Sequence, residues 1–214
     1  KDTFTVTVGT VMEDSKIPLN KWLIAFYMMC ASKTQVSALQ LQRQLELGSY
    51  RTALFLCHRI RFALKDISPT GQLGGEVEAD ETYIGGKTKG KGRGYTGNKM
   101  CVVSLVQRGG DVRSTVAERV NSKTISALLK RHVAEEAHLN TDESPLYTKA
   151  GKDFASHARV NHSAEEYGYY DYRTKRTVTT NTVEGFFGNS KRSLDGTHHQ
   201  ISRQHLHLHT AELD

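Results

Sequence analysis

Three acids are the residues of this chain best suited to chemistry: Asp80 in EVEADETYIGG, Asp142 in LNTDESPLY and Glu184 in NTVEGFFGNSKR. The first two stand at the ends of apolar, strand-like runs, where a rigid backbone holds a carboxylate in place. The third lies inside a helix-like run. Carboxylates shared between two divalent cations roughly 4 Å apart can activate a nucleophile and stabilise a leaving oxygen on DNA or RNA. Magnesium suits such a set, because it takes a few carboxylates and fills its remaining positions with water and phosphate oxygens. Asn181 and Glu184 are spaced i, i+3, so one helix face presents both, and either can ligate a hard cation through oxygen. The same pair also reads as a helix cap followed by a first-turn acid. Lys191 lies two turns beyond Glu184 on a similar side. Glu78, Glu81 and Glu143 compete for the same role. Glu81 and Glu143 immediately follow the two aspartates, so period-two alternation turns them to the opposite side of a sheet.

These acids need elements to bring them together, and the chain divides into two patterns. Residues 1–67 read as a small helical unit, with helices packed over 19–65. Trp22, Leu23, Phe26, Tyr27 and Cys30 describe one buried helix face. Ser37 and Gln40 form a capping box that opens a second helix carrying Leu39, Leu41 and Leu45. Gly48 ends it, and Ser49 caps a third helix in which Ala53, Leu54, Leu56, Cys57, Ile60 and Leu64 face inward. Arg51, Arg59 and Arg61 on that third helix are candidate DNA contacts of a helix-turn-helix-like unit; a plain helical packing unit reads equally well. SPTGQLGG then marks a linker.

Residues 76–214 read as a mixed α/β domain. Three successive strands start it, EVEADETYIG, KMCVVSLVQRG and DVRSTVAERV, with the Gly109–Asp111 turn joining the second and third. Asn121 or Ser122 caps a helix running through SKTISALLKRHVAEEA, followed by a short strand ending at Asp142 and a fifth strand at 158–163. A helix from about Thr182 to Ser193 closes the pattern, which is that of a mixed sheet with flanking helices.

Other features narrow the function classes. The loop at 85–99 matches G-x-x-x-x-G-K at Gly85, Gly90 and Lys91, but Gly92 stands where the metal-binding hydroxyl belongs and no helix follows, so it is no phosphate cradle. Its cations Lys87, Lys89, Lys91, Arg93 and Lys99 read equally well as contacts to backbone phosphates and as the charges of a solvated loop. His198, His199, His205, His207 and His209 cluster without a recognised zinc spacing. Cys30, Cys57 and Cys101 are odd in number and widely separated, which argues against a disulfide framework and for a reducing cytoplasm. No apolar run reaches membrane-span length, since WLIAFYMMCA is about half of what is needed. Twenty-nine Lys and Arg against 23 Asp and Glu, a formal charge of +6 over 214 residues, are compatible with a polyanionic partner. The chain starts at Lys1 without a signal-peptide pattern and reads as a fragment.

Several ordered strings resemble one family throughout the chain: GTVMEDSKIPLNKWLIAFYMM with HRIR, EVEADETYIGGK, LNTDESPLY, VNHSAEEY and NTVEGFFGNSKRSLDGTHHQISRQHL. They are similar to the transposases of bacterial insertion sequences, in the ISXO-type group of the fifteen-ninety-five family. The resemblance implies a DDE recombinase with a ribonuclease-H-like catalytic domain. Asp80 and Asp142 match its first and second acids, Glu184 or Asn181 the third, and Lys191 its accompanying base; the family varies between acid and amide at the third position. It further implies two Mg²⁺ or Mn²⁺ ions, cleavage at transposon ends, strand transfer into target double-stranded DNA, and a homodimer or larger assembly on DNA. The family's N-terminal zinc ribbon has no counterpart here, as a truncated start would leave it. Two alternatives use the same residues differently: a catalytically inactive DNA-binding remnant, and a nuclease of the same fold.

Overall fold

A computed structural model describes residues 5–66, 71–86, 97 and 99–214. Lys87, Lys89, Lys91 and Arg93 lie outside the described residues. The chain forms two compact units, one of Lys1–Ser68 with Arg192–Leu213 and one of Pro69–Lys191 with Asp214. The stretch Arg192–Leu213, at the end of the second segment read from sequence, groups with the helical unit.

The helical unit is built on α1 (Leu19–Ala31), α2 (Ala38–Gln44), α3 (Tyr50–Asp66) and α6 (Leu206–Leu213). On α1 the buried face is Trp22, Ala25 and Met29, an i, i+3, i+7 stripe rather than the expected one. Leu23 and Tyr27 are 58% and 74% exposed, and Cys30 is exposed as well. The helix is apolar nearly all round, so counting hydrophobic residues did not fix which side turns inward. Ser37 caps α2 by accepting the Gln40 N–H. Leu41 and Leu45 are buried, whereas Leu39 is 43% exposed. α2 ends before Gly48: Glu46 adopts the left-handed conformation at φ 49°, and Leu47 N–H donates to Gln42 O at 2.9 Å while Glu46 N–H donates to Arg43 O at 3.4 Å. Those are the two bonds of a Schellman stop. Ser49 then accepts the Thr52 N–H at the start of α3.

Ala53, Leu56, Cys57 and Ile60 of α3 face the core as expected, joined by partly buried Leu54 and Leu64. The arginines do not behave alike. Arg61 is 1% exposed and its Nε donates to Glu212 of α6 at 2.6 Å, so it is an internal ion-pair partner with no face open to phosphate. Arg59 donates to Glu13 O at 2.8 Å, with its guanidinium 5.4 Å from the Trp22 ring centroid. Arg51 alone of the three is exposed. The inward turn of Arg61 comes from α6, a helix that no sequence pattern announces and that carries the acid drawing the guanidinium inside.

In the other unit, β1 (Glu76–Ile84), β2 (Met100–Gln107) and β3 (Val112–Ala117) form an antiparallel meander. Helix α4 (Ser122–His132) follows, capped by Asn121, and then β4 (His138–Thr141) and β5 (Ser156–Arg159). Strand order is β3-β2-β1-β4-β5, with β4 parallel to β1 and β5 parallel to β4. Three antiparallel strands continued by two parallel ones, flanked by helices, make a ribonuclease-H-like mixed sheet. α4 stops at His132 rather than continuing through Ala137, because its exit pairs with the linker: Leu73 N–H donates to His132 O at 2.7 Å and Ala134 N–H to Leu73 O at 2.9 Å. β5 starts two residues before the expected fifth strand, where Ser156 pairs with His138 of β4, and ends earlier than expected, since Asn161 turns the chain by accepting the Ala164 N–H. A hairpin of β6 (Gly168–Asp171) and β7 (Arg176–Thr179) follows, and α5 (Asn181–His198) runs further at both ends than expected.

Alternation along the strands creates two unlike faces. Val77 and Ala79 of β1, with Cys101, Val103 and Leu105 of β2, pack on Ile125 and Leu129 of α4. On the opposite face Val106 packs on Val183 and Phe187 of α5. Glu78 is the cross-strand partner of Val106, so Glu78, Asp80 and Thr82 are turned to that face.

Candidate active site

Register brings the first two acids together. Ala79 of β1 pairs with Thr141, the last residue of β4. One step further Asp80, in the middle of β1 and not at its end as expected, stands level with Asp142 just past the end of β4, where neighbouring strands lie about 4.8 Å apart. Asn140 pairs with Glu78, and Asp142, two residues on, continues the same side. Helix α5 begins on this face, with Glu184 in its first turn. Each acid is tied by one oxygen. Asp80 Oδ1 accepts the Glu81 N–H at 2.7 Å, Asp142 Oδ1 accepts the Ser144 N–H at 3.0 Å, and Glu184 Oε1 accepts the Thr180 hydroxyl at 2.8 Å. The second oxygen of each carries no hydrogen bond among the described residues. One fixed and one open oxygen per carboxylate is a donor set suited to a hard cation.

The electrostatics match crowded acids. Burial pushes the Asp80 carboxyl up to about 7, with Asp142, Glu81 and Glu184 adding repulsion against the Glu81 N–H bond. Burial likewise raises Asp142, with Glu143 adding to it and the Ser144 N–H opposing. Among the described residues, no three His, Cys, Asp or Glu side chains are drawn close enough to hold a cation as they stand. Like charges facing one another favour such spacing, and a divalent ion would offset the repulsion that holds them apart.

The start of α5 is fixed by a residue that the sequence offered only as a competitor for the cation-holding role. Glu78 is fully buried and accepts the Thr182 N–H at 2.8 Å, the Thr182 hydroxyl at 2.9 Å and the Val183 N–H at 3.0 Å. These amides are otherwise unpaired at a helix start, where the helix dipole also favours negative charge. Arg108 Nε donates to the same carboxylate at 2.7 Å, and its other nitrogens reach Thr177 O and Thr179 O at 2.7 and 3.1 Å. Strand β1, the end of β7 and the first turn of α5 thus share one clamp, two residues before Asp80. The signal available in sequence was Glu78's parity with Asp80.

The remaining expected site residues divide. Glu81 points away from Asp80, accepting the Tyr147 hydroxyl at 2.6 Å within the α4-side core. Glu143 turns to accept the His162 and Ser163 N–H groups. Asn181 is exposed as the first residue of α5 and is not its cap, since Thr180 O accepts the Glu184 N–H at 3.1 Å. Lys191 is exposed on α5, about 10 Å along the axis from Glu184 at 1.5 Å per residue. Sequence reasoning missed His162, whose Nε2 lies 3.1 Å from Glu184 Oε1; no spacing rule links positions separated by an unrecognised hairpin.

No described helix is long and apolar enough to cross a membrane. The model of the ISXO2-like transposase domain matches residues 72–214. Over 221 aligned residues the chain is 29% identical to an uncharacterized protein in transposable element ISH50 of Halobacterium salinarum (strain ATCC 700922 / JCM 11081 / NRC-1), covering 95% of this chain and 71% of that protein. The matched region contains the sheet, Asp80, Asp142, the Glu78 clamp and α5, and on that ground the chain belongs to the ISXO2-like transposase family.

Proposed function

We propose that this chain is a DDE-type DNA strand transferase, with Asp80, Asp142 and Glu184 as its metal-holding acids. The observation that carries the reading is the common face of the three carboxylates, each with one oxygen fixed by a local hydrogen bond and one open. Two Mg²⁺ or Mn²⁺ ions bound there would supply Lewis-acid activation of the nucleophile and neutralise charge on the leaving oxygen. The protein's own task is to hold that geometry. Asp80, with a carboxyl near neutrality, gives up its proton when its face is engaged. Glu184 is favoured over Asn181 as the third ligand because it is restrained by Thr180 and because its charge acts on Asp80. Asn181 stands one turn away as the alternative.

In the proposed reaction a water oxygen attacks phosphorus at the transposon end and the 3′-oxygen leaves as a hydroxyl. That hydroxyl then attacks a target phosphodiester, forming a new ester bond and releasing a target 3′-hydroxyl. Lys191 contacts a phosphate beside the site as a point charge. Arg51 and the basic loop residues Lys87, Lys89, Lys91 and Arg93 add backbone contacts, and the helical unit helps to grip double-stranded DNA. The chain acts in the cytoplasm as a homodimer or larger assembly, which would allow two transposon ends to be joined.

The test is incubation of the element's end DNA with a target plasmid and Mg²⁺. Cleaved ends and joined products are expected, lost in Asp142→Asn and weakened at physiological salt in Lys191→Ala, whose folding should change by no more than about half a kcal/mol. Cutting without joining would identify a nuclease, and binding without either reaction an inactive remnant.

A further inference from the structure

A glutamate in the first turn of an exposed helix face has several rotatable bonds and no reason to keep one orientation. Glu184, 43% exposed at its side chain, is nevertheless held by two groups on the same oxygen. Thr180 Oγ1 donates to Oε1 at 2.8 Å, and His162 Nε2 lies 3.1 Å from that oxygen and 3.1 Å from Thr180 Oγ1. A carboxylate only accepts, and the single hydroxyl proton of Thr180 is spent on Glu184. The proton between the ring and these oxygens therefore sits on His162 Nε2.

His162 is itself restrained from the direction of the second acid. Its backbone N–H donates to Glu143 Oε2 at 2.9 Å, while Glu143 Oε1 takes the Ser163 N–H at 3.3 Å and the Ser163 hydroxyl. Tyr167 covers the ring with centroids 5.8 Å apart. Glu143 is bonded in sequence to Asp142. A continuous path of covalent and hydrogen bonds thus runs from the Asp142 turn through Glu143, His162 and Thr180 to Glu184, with His162 Nε2 also 3.1 Å from Glu184 Oε1 and Glu184 Oε2 left open.

We propose that His162 is a positioning residue: it sets the orientation of the Glu184 carboxylate and couples it to the Asp142 turn, so that the second and third acids present their free oxygens as one unit. This rests on the reading of Asp80, Asp142 and Glu184 as cation-holding acids. Partners that orient a metal ligand commonly change metal affinity by about 10- to 100-fold when removed. His162 fits that role by contact, since it approaches Glu184 Oε1 and leaves Oε2 open.

Mn²⁺ titration of the full chain, followed by loss of the free-ion paramagnetic resonance signal, tests the proposal with no DNA present. His162→Ala should weaken Mn²⁺ binding by about tenfold. His162→Gln should restore most of the loss, because its amide nitrogen can donate from the place of Nε2, whereas the shorter His162→Asn should not. Nitrogen-15 spectra of the metal-free protein should show His162 protonated at Nε2. Wild-type affinity in His162→Ala, with binding abolished in Asp80→Asn, would overturn the role of His162 and leave the acid site standing. Equal losses in the Gln, Asn and Ala variants would also overturn it, since the ring would then matter only as packing. Absence of Asp80-dependent Mn²⁺ binding in the wild type would overturn both this proposal and the reading beneath it.

Discussion

Glu78→Ala should destabilise the sheet unit by about 3–5 kcal/mol, the usual cost of removing one partner from a buried ion pair. The substitution strands the Arg108 guanidinium, which loses its carboxylate partner, and leaves the Thr182 and Val183 N–H groups without an acceptor at the start of α5. The buried Val183 N–H would carry its desolvation cost unpaired, and the half-buried Arg108 would keep only its bonds to Thr177 O and Thr179 O. Activity should fall with stability, because the clamp sets where Glu184 stands relative to Asp80. Glu78→Gln should be milder, about 1–3 kcal/mol, since one amide oxygen can still accept while the amide nitrogen opposes the other donors. Hydrogen exchange at Thr182 and Val183 reads the effect locally: both amides should exchange much faster in the Ala variant. Unchanged protection there would mean that packing of Val183 and Phe187, and not Glu78, fixes the helix start.

The clamp also marks the boundary of what local sequence patterns reveal. Strands β1 to β3, the capped helix α4 and the placement of Asp142 just past a strand end follow from such patterns, because alternation, turn glycine and cap residues report their own neighbourhood. Asp80 stands in the middle of β1 rather than at its end, since the strand continues through Ile84 in pairing with β2. Alternation also separated Asp80 from Glu81. It could not tell Glu78 from Asp80, which share a face and differ only in what approaches them, the amides of a helix about a hundred residues later. The inward turn of Arg61 was illegible for the same reason, because its partner Glu212 lies on a helix with no strong pattern of its own. α1 failed differently: a helix apolar on most sides carries no periodic signal to orient it. The β6–β7 hairpin escaped because its tyrosines are exposed on both faces, which erases the period-two pattern, and His162 was hidden with it.

Asp80→Asn should act on stability and activity with opposite signs. In the folded chain burial and the neighbouring acids raise the Asp80 carboxyl from its ordinary value of 3.8 to about 7. Between those values the folded protein keeps a proton that the unfolded chain has released. Stability therefore falls as pH rises from about 4 through 7, and the cost is fully present above 7. Asn removes the titration, so the variant should gain about 1–3 kcal/mol at pH 8, a range discounted for the partial exposure of the group. It should gain little near pH 4, where the wild-type carboxyl is protonated in the folded state and close to half protonated in the unfolded one. Strand transfer should drop by on the order of 10³-fold or more, as expected when a group holding the charge-stabilising apparatus is lost. Thermal unfolding in metal-free buffer at pH 4, 6 and 8 measures the first effect. A variant less stable than the wild type at pH 8 would mean that Asp80 is a structural partner, not an acid held at a cost for function.

Anomalous diffraction from crystals soaked in Mn²⁺ tests the central claim most directly, because it locates the ion without requiring DNA or turnover. The account predicts anomalous density bounded by Asp80, Asp142 and Glu184, with the open oxygens of all three turned toward it, and its loss in Asp80→Asn. Density elsewhere in the chain, or none between these three acids at saturating Mn²⁺, would contradict it.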